Sequence, residues 1–193
     1  MNACTIIARN YMPHARVLAE SFCEHHAGGT FTTLVVDFGA GPVTAAREPF
    51  ELVRPSEIGL DARELYRMAA LYNVSELSTA LKPWFLRALL DRGLDHVVYF
   101  DPDIEIFAPL DDIATLSRDK SIVLTPHTTE PMPNDGRIPN ERTILLAGIY
   151  NLGFIGVGTG SRDFLDWWAE RLARDCYLAP EEGASFVNQR WID

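Results

Sequence analysis

His96-Val-Val-Tyr-Phe-Asp-Pro-Asp-Ile-Glu-Ile-Phe107 is the stretch that decides the fold. Its first five residues are rich in β-branched and aromatic side chains and read as the strongest strand in the chain. They end directly in Asp101-Pro102-Asp103. Open α/β sheets bind ligands beyond the carboxyl ends of their strands, so a site is expected here. The pair of carboxylates alone says little. With 14 aspartates in 193 residues, about one Asp-x-Asp arises by chance. Carboxylates two residues apart in an extended chain also point to opposite faces. Both reach one cation only if the backbone turns, and Pro102 stands where that turn would fall; otherwise the pair is a solvated strand-end turn.

Outward from this strand, short apolar runs alternate with helical patterns, the mark of an α/β sheet covered by helices. Thr5 to Ala8, Phe31 to Asp37 and Phe50 to Val53 read as strands before it, with a Gly/Pro loop after the second. Ile104 to Phe107, Ser121 to Thr125 and Ile149 to Val157 read as strands after it. Pro13 suits a first helical turn, and Val17, Leu18, Ser21 and Phe22 form a face that Gly28-Gly29 ends. Asp61 to Tyr72 predicts a helix with an acidic N-cap and apolar Leu65, Met68, Ala69 and Tyr72. A further helix, restarted at Pro83, runs to Gly93. Ser161 to Cys176 predicts another, opened by Ser/Asp capping. Pro126 to Asn140 is rich in Pro, Asn and Asp and reads as a long loop.

The pattern of motifs resembles the glycosyltransferases of GT-A fold. Val97 to Phe107 is similar to their metal-binding Asp-x-Asp segment, in which the carboxylates hold Mn²⁺ or Mg²⁺ against a donor diphosphate. A departing dianionic diphosphate needs such a hard cation. Other segments resemble the retaining branch that includes glycogenin and bacterial lipopolysaccharide galactosyltransferases. Asn10-Tyr11 follows the first strand, where that branch packs an aromatic on the nucleotide base. Thr79-Ala-Leu-Lys-Pro-Trp84 places Lys82 where relatives carry a donor-contacting cation. Tyr150-Asn-Leu-Gly-Phe154 resembles the Asn-x-Gly-Phe segment whose Asn meets the transferred sugar, and Asn188-Gln189 falls where Asp-Gln is usual.

The resemblance implies a Rossmann-like, mixed but mainly parallel sheet flanked by helices, in one domain over residues 1–193. It implies transfer from a nucleoside diphosphate sugar, a UDP-sugar by expectation, to a glycan, lipid-linked or protein hydroxyl. Retention would come from front-face attack, with the leaving diphosphate taking the acceptor's proton. Ala8, Asn10, Tyr11, Lys82, Phe100, Asp101 and Asp103 are the expected donor residues, Asp101 and Asp103 the metal ligands, and Asn151, Asn188 and Gln189 the catalytic ones. Two departures stand out: Ala8 and Arg9 replace the Asp or Asn that relatives use to read uracil, and Asn188 replaces a carboxylate. The branch's third metal ligand, a histidine, would lie beyond residue 193. Phe186 to Asp193 reads as a helix beginning without a stop, so the chain is expected to be truncated there.

Several residues have plainer readings. Tyr11 could be a helix-entry aromatic, Lys82 a solvated helix lysine, Asn151 a turn former, His127 a loop histidine and Trp167-Trp168 core or interface. An apolar strand ending in Asp-x-Asp also marks haloacid-dehalogenase phosphatases, although there the motif sits near the domain's start. A sugar-nucleotide-binding module without turnover is the third possibility. The net charge of −10 and pI near 4.9 argue against nucleic acid and against a broad basic membrane patch. Cys4, Cys23 and Cys176 lack metal-ligand spacing and read as free thiols. No stretch reaches the ~18 apolar residues of a membrane span. A cytoplasmic setting is expected, extending to the inner face of a membrane.

Overall fold

A computed structural model describes residues 1–37, 48–178 and 187–193. Three parallel pairings build the first part of the sheet. β1 (Asn2–Ile7) lies between β2 (Thr30–Val35) and β4 (His96–Phe100), and β3 (Glu51–Val53) adds outside β2. Beyond β4 the direction reverses. β6 (Tyr150–Gly158) runs antiparallel to β4, and β5 (Ile122–Pro126) antiparallel to β6. The order is therefore β3-β2-β1-β4-β6-β5, the mixed, mainly parallel sheet that the resemblance implies.

Strand alternation distributes the core to two faces. Cys4, Ile6, Leu34, Val97 and Tyr99 face one cluster; Ala3, Ile7, Phe31, Val98 and Phe100 face the other. The first is covered by α2 (Ala62–Leu71), α3 (Val74–Ala80), α4 (Lys82–Asp91) and α7 (Arg162–Leu172), and centres on Trp168. The second is covered by α1 (Met12–His25) and α5 (Asp111–Asp119). Asp61 caps α2 by accepting from the Arg63 and Glu64 amides, as its position predicts.

Some elements differ from the expectation. Ile104 to Phe107 forms no strand, because the chain leaves the sheet in a turn at Asp101 and only Ile106 of that run is buried. Val17 lies at the margin of α1's buried face and is 49% exposed, and Ala69 faces solvent. Ser161 does not cap α7 with its side chain; its hydroxyl donates to the Gly158 carbonyl and closes a 3-10 turn instead. Asn188–Trp191 is a 3-10 turn, not the start of an α-helix. α6 (Glu141–Ala147), capped by Asn140, follows the long loop and was not expected. The Gly/Pro loop after β2 falls outside the described residues, as does Phe186. No helix among the described residues is long and apolar enough to cross a membrane.

His26 joins α1 to the entry of α5. Its Nε2 accepts from the Leu110 amide at 3.1 Å, and its ring stacks on Phe22. An acceptor nitrogen must be unprotonated, and burial lowers the pKa from 6.5, with nearby Asp111 opposing. A neutral folded histidine contributes stability that is present above its unfolded pKa and lost as pH falls towards its folded one. Urea midpoints should therefore drop as pH is lowered below 6.5, and His26→Gln, which keeps an acceptor but cannot titrate, should flatten part of that slope. Equal slopes in the two proteins would assign the acid sensitivity elsewhere.

Candidate active site

Asp101 continues the alternation of Val97 and Tyr99, so its side chain leaves β4 on the face covered by α4. Its amide donates to the Gly153 carbonyl at 2.8 Å, extending the β4–β6 ladder by one residue. The backbone then turns: Ile104 donates to the Asp101 carbonyl at 3.2 Å, with Pro102 and Asp103 at the corner. Proline's fixed φ suits the first corner position of such a turn. The reversal brings Asp103 to the same cleft as Asp101, which an extended chain would have prevented.

That cleft has a volume of about 480 Å³. Its floor is the sheet end at Ile6, Ile7 and Tyr99, and one wall carries Ala8, Asn10 and Tyr11 from the turn after β1. Tyr11 is 43% exposed, and its ring lies 4.9 Å from that of His14. Val74, Ser75, Ser78 and Thr79 of α3 also line it, as do Asp101, Pro102 and Asp103. The α3 residues were missed in the sequence, although Ser75, Ser78 and Thr79 have the i, i+3, i+4 spacing of one helix face.

Lys82 opens α4 directly beneath Asp101. Only 3% exposed, it donates from Nζ to the Leu152 carbonyl at 2.7 Å and stands 3.6 Å from Asp101 Oδ1. Burial pulls its pKa down, and Asp101 opposes that shift. The Tyr99 hydroxyl donates to the same Oδ1 at 2.7 Å, and burial followed by the Asp101 charge pushes its pKa well up.

No family profile matches the sequence. The chain is 26% identical over 194 residues to YfnF, an uncharacterised protein of Bacillus subtilis strain 168, covering 98% of this chain and 63% of that one. Among solved structures it is similar to the glycosyltransferase GlyE of Streptococcus pneumoniae TIGR4, with a TM-score of 0.55, 14% identity, and coverage of 99% of this chain and 42% of that chain. It is also similar to the galactosyltransferase LgtC in complex with donor and acceptor sugar analogues, with a TM-score of 0.51, 14% identity and coverage of 88% and 60%. The bifunctional glycosyltransferase WbbM gives 0.52, 15%, 89% and 34%. The fold is GT-A-like. The chain spans less than two thirds of each of these relatives.

In this GT-A-like frame the remaining expected residues separate into two groups. Asn151 lies on the same sheet end as Asp101, exposed rather than buried, and its Oδ1 accepts from the Gly153 amide two residues on. Phe100, by contrast, points into the core on the other face of β4, 4% exposed and packed on Phe154. Its side chain does not line the cleft.

Asn188 and Gln189 do not line it either. Asn188 is buried, its side chain accepts from the Gln189 amide, and its carbonyl receives the Trp168 indole. The Gln189 side chain donates to the Ala147 carbonyl at 2.7 Å. Its Cγ lies 2.8 Å from where a β-carbon on Gly148 would sit. His127 is half-buried, with backbone and ring bonded to the Ile149 carbonyl. Trp168 is core, as its plainer reading held, and Trp167 is 37% exposed.

A hard divalent cation fits the pair of carboxylates in the cleft. Asp101 and Asp103 offer carboxylate oxygens to one cleft, and Oδ2 of Asp101 is not the oxygen that Tyr99 and Lys82 hold. No group of three or more His, Cys, Asp and Glu suited to a metal occurs among the described residues. Mn²⁺ or Mg²⁺ bound by two carboxylates takes its other ligands from phosphates and water.

Gly148 connects α6 to β6 at φ 121° and ψ 140°, a conformation that L side chains rarely adopt. Gly148→Ala should therefore cost about 1–3 kcal/mol through backbone strain and displace Gln189. Urea denaturation checks the cost; an unchanged midpoint would show that the α6–β6 junction relaxes freely.

Proposed function

We propose that this chain is the donor-binding unit of a metal-dependent glycosyltransferase, which moves a sugar from a nucleoside diphosphate sugar to a hydroxyl acceptor. The observation that carries this reading is that Asp101 and Asp103 line one cleft together with Asn10 and the exposed Tyr11. Paired carboxylates and an exposed aromatic in one cleft suit the two parts of a nucleotide: a diphosphate that needs a cation, and a base that needs a flat apolar surface. The GT-A-like fold supports the reading.

Each group then has a task. Asp101 and Asp103 would hold Mn²⁺ or Mg²⁺, which supplies Lewis-acid charge to the departing diphosphate. Tyr11 and Asn10 receive the base, and the Ser75, Ser78 and Thr79 hydroxyls in the same cleft offer hydrogen bonds to ribose or phosphate oxygens. Asn151, beside Asp101 at the sheet end, meets the transferred sugar. Lys82 places positive charge under the same carboxylate. The proposed donor is a UDP-sugar, and retention of the anomeric configuration goes with it. Proton NMR of the first-formed glycoside reads the configuration, and an inverted centre would remove the retention claim. The acceptor is a glycan, lipid-linked or protein hydroxyl.

Calorimetric titration of UDP and GDP, each with and without Mn²⁺, tests the donor site on this chain and on its Asp101→Asn/Asp103→Asn variant. Binding that requires Mn²⁺ and weakens at least about tenfold in the variant is expected, since each carboxylate supplies a charged ligand. Silence of both nucleotides in the presence of Mn²⁺ overturns the reading. Metal-independent binding retained by the variant would leave a nucleotide module without a cation site.

A further inference from the structure

Among the described residues, the Asp101 carboxylate is held on one side only. Tyr99, two residues earlier on the same face of β4, gives its hydroxyl to Oδ1 at 2.7 Å. The Lys82 ammonium stands 3.6 Å from the same oxygen. That ammonium also donates to the Leu152 carbonyl and lies 3.8 Å from the centre of the Tyr99 ring. An ammonium has three N–H donors, and a carbonyl, a carboxylate and a ring face match them. Tyr99 and Lys82 are each 3% exposed. Oδ2 lies elsewhere, 3.1 Å from the point where a β-carbon on Gly153 would sit.

Resting on the metal-site assignment above, we infer that Tyr99 is a positioning residue: with Lys82 it fixes Oδ1 of Asp101, so that Oδ2 is the oxygen presented to the divalent cation. The Asp101 side chain is 43% exposed at a strand end, where an unheld carboxylate would sample several rotamers. Holding one oxygen removes that freedom before a cation arrives and lowers the ordering cost of binding. Lys82 acts through the same carboxylate. Drawing the ammonium out to a donor phosphate would strip the Leu152 carbonyl of its partner and leave a buried acceptor unsatisfied. Gly153 completes the arrangement, because a side chain there would crowd the oxygen left free.

Tyr99→Phe deletes the hydroxyl and keeps the ring under Lys82. Free Mn²⁺ would be followed by electron paramagnetic resonance during titration into each protein in saturating UDP, with circular dichroism reporting the fold. Loss of a group that orients a metal ligand weakens metal affinity about 10–100-fold, and a fall in that range is expected for Tyr99→Phe with an unchanged dichroism spectrum. The second arm repeats the substitution in an Asp101→Asn background. If the hydroxyl acts through Asp101, it should there change Mn²⁺ affinity less than about twofold. Wild-type affinity in Tyr99→Phe overturns the inference and leaves the metal site standing. Additive losses in the double variant overturn it too, because they place the hydroxyl's effect outside Asp101. Failure of the wild-type protein to bind Mn²⁺ removes the metal-site reading and this inference together.

Discussion

Lys82 carries its ammonium to a place where 3% of the residue meets solvent, and the site end of the sheet is arranged around that charge. An unpaired buried ammonium is costly enough that it would shed its proton or move to water. Three groups converge on it and oppose that cost: the Leu152 carbonyl, the Asp101 carboxylate and the Tyr99 ring face. Each comes from a different part of the sheet end, Leu152 from β6 and Tyr99 and Asp101 from β4 and its edge. The charge therefore links α4 to two strands. Losing one partner of such a group costs more than the contact itself is worth, since the remaining charge is left uncompensated. The same dependence gives the carboxylate a single orientation, which is what a binding site needs.

The antiparallel pairing of β4 with β6 makes this convergence possible. Phe100 pairs with Phe154, and the ladder then extends by the Asp101 amide to the Gly153 carbonyl. Had β6 run parallel to β4, its first residues would lie at the opposite end of the sheet from Asp101. Reversed, it delivers Asn151, Leu152 and Gly153 beside the carboxylate within three consecutive residues. Gly153 is the residue the geometry needs there. A β-carbon would come 3.0 Å from Asn151 Oδ1 and 3.1 Å from Asp101 Oδ2, too close for either to stay unmoved. The missing side chain is thus part of how two oxygens share one corner.

Local signals carried much of this into the sequence. Short apolar runs between helical patterns marked all six strands, and Pro102 marked the reversal that brings Asp103 round. Tyr99 was missed, although two residues before Asp101 on a strand means the same face. What the sequence concealed was long-range. Lys82 looks like an ordinary helix lysine until α4 is packed under β4, since nothing within its own segment requires burial. Ile104 to Phe107 has strand composition, yet the turn at Asp101 removes it from the ladder, a case of tertiary context overriding propensity. The direction of β6 is invisible to periodicity, which is the same for parallel and antiparallel strands.

Asn188 and Gln189 show where likeness of motif and role of side chain part company. Gln189 donates to the Ala147 carbonyl, Arg190 to the Leu145 carbonyl, and Asp193 accepts from the Ile149 amide. The first two carbonyls belong to the last turn of α6, which its own helix leaves without amide partners. The third contact fixes the first residue after Gly148. The 3-10 turn at Asn188–Trp191 thus holds the backbone that leads into Asn151, and α6 has no buried residue of its own to do so. The bond to Ala147 commits one N–H of the Gln189 amide and so fixes where its remaining N–H and oxygen point. In this arrangement Gln189 orders the approach to the site, and Asn151 and Gly153 are the polar groups on β6 that stand beside Asp101.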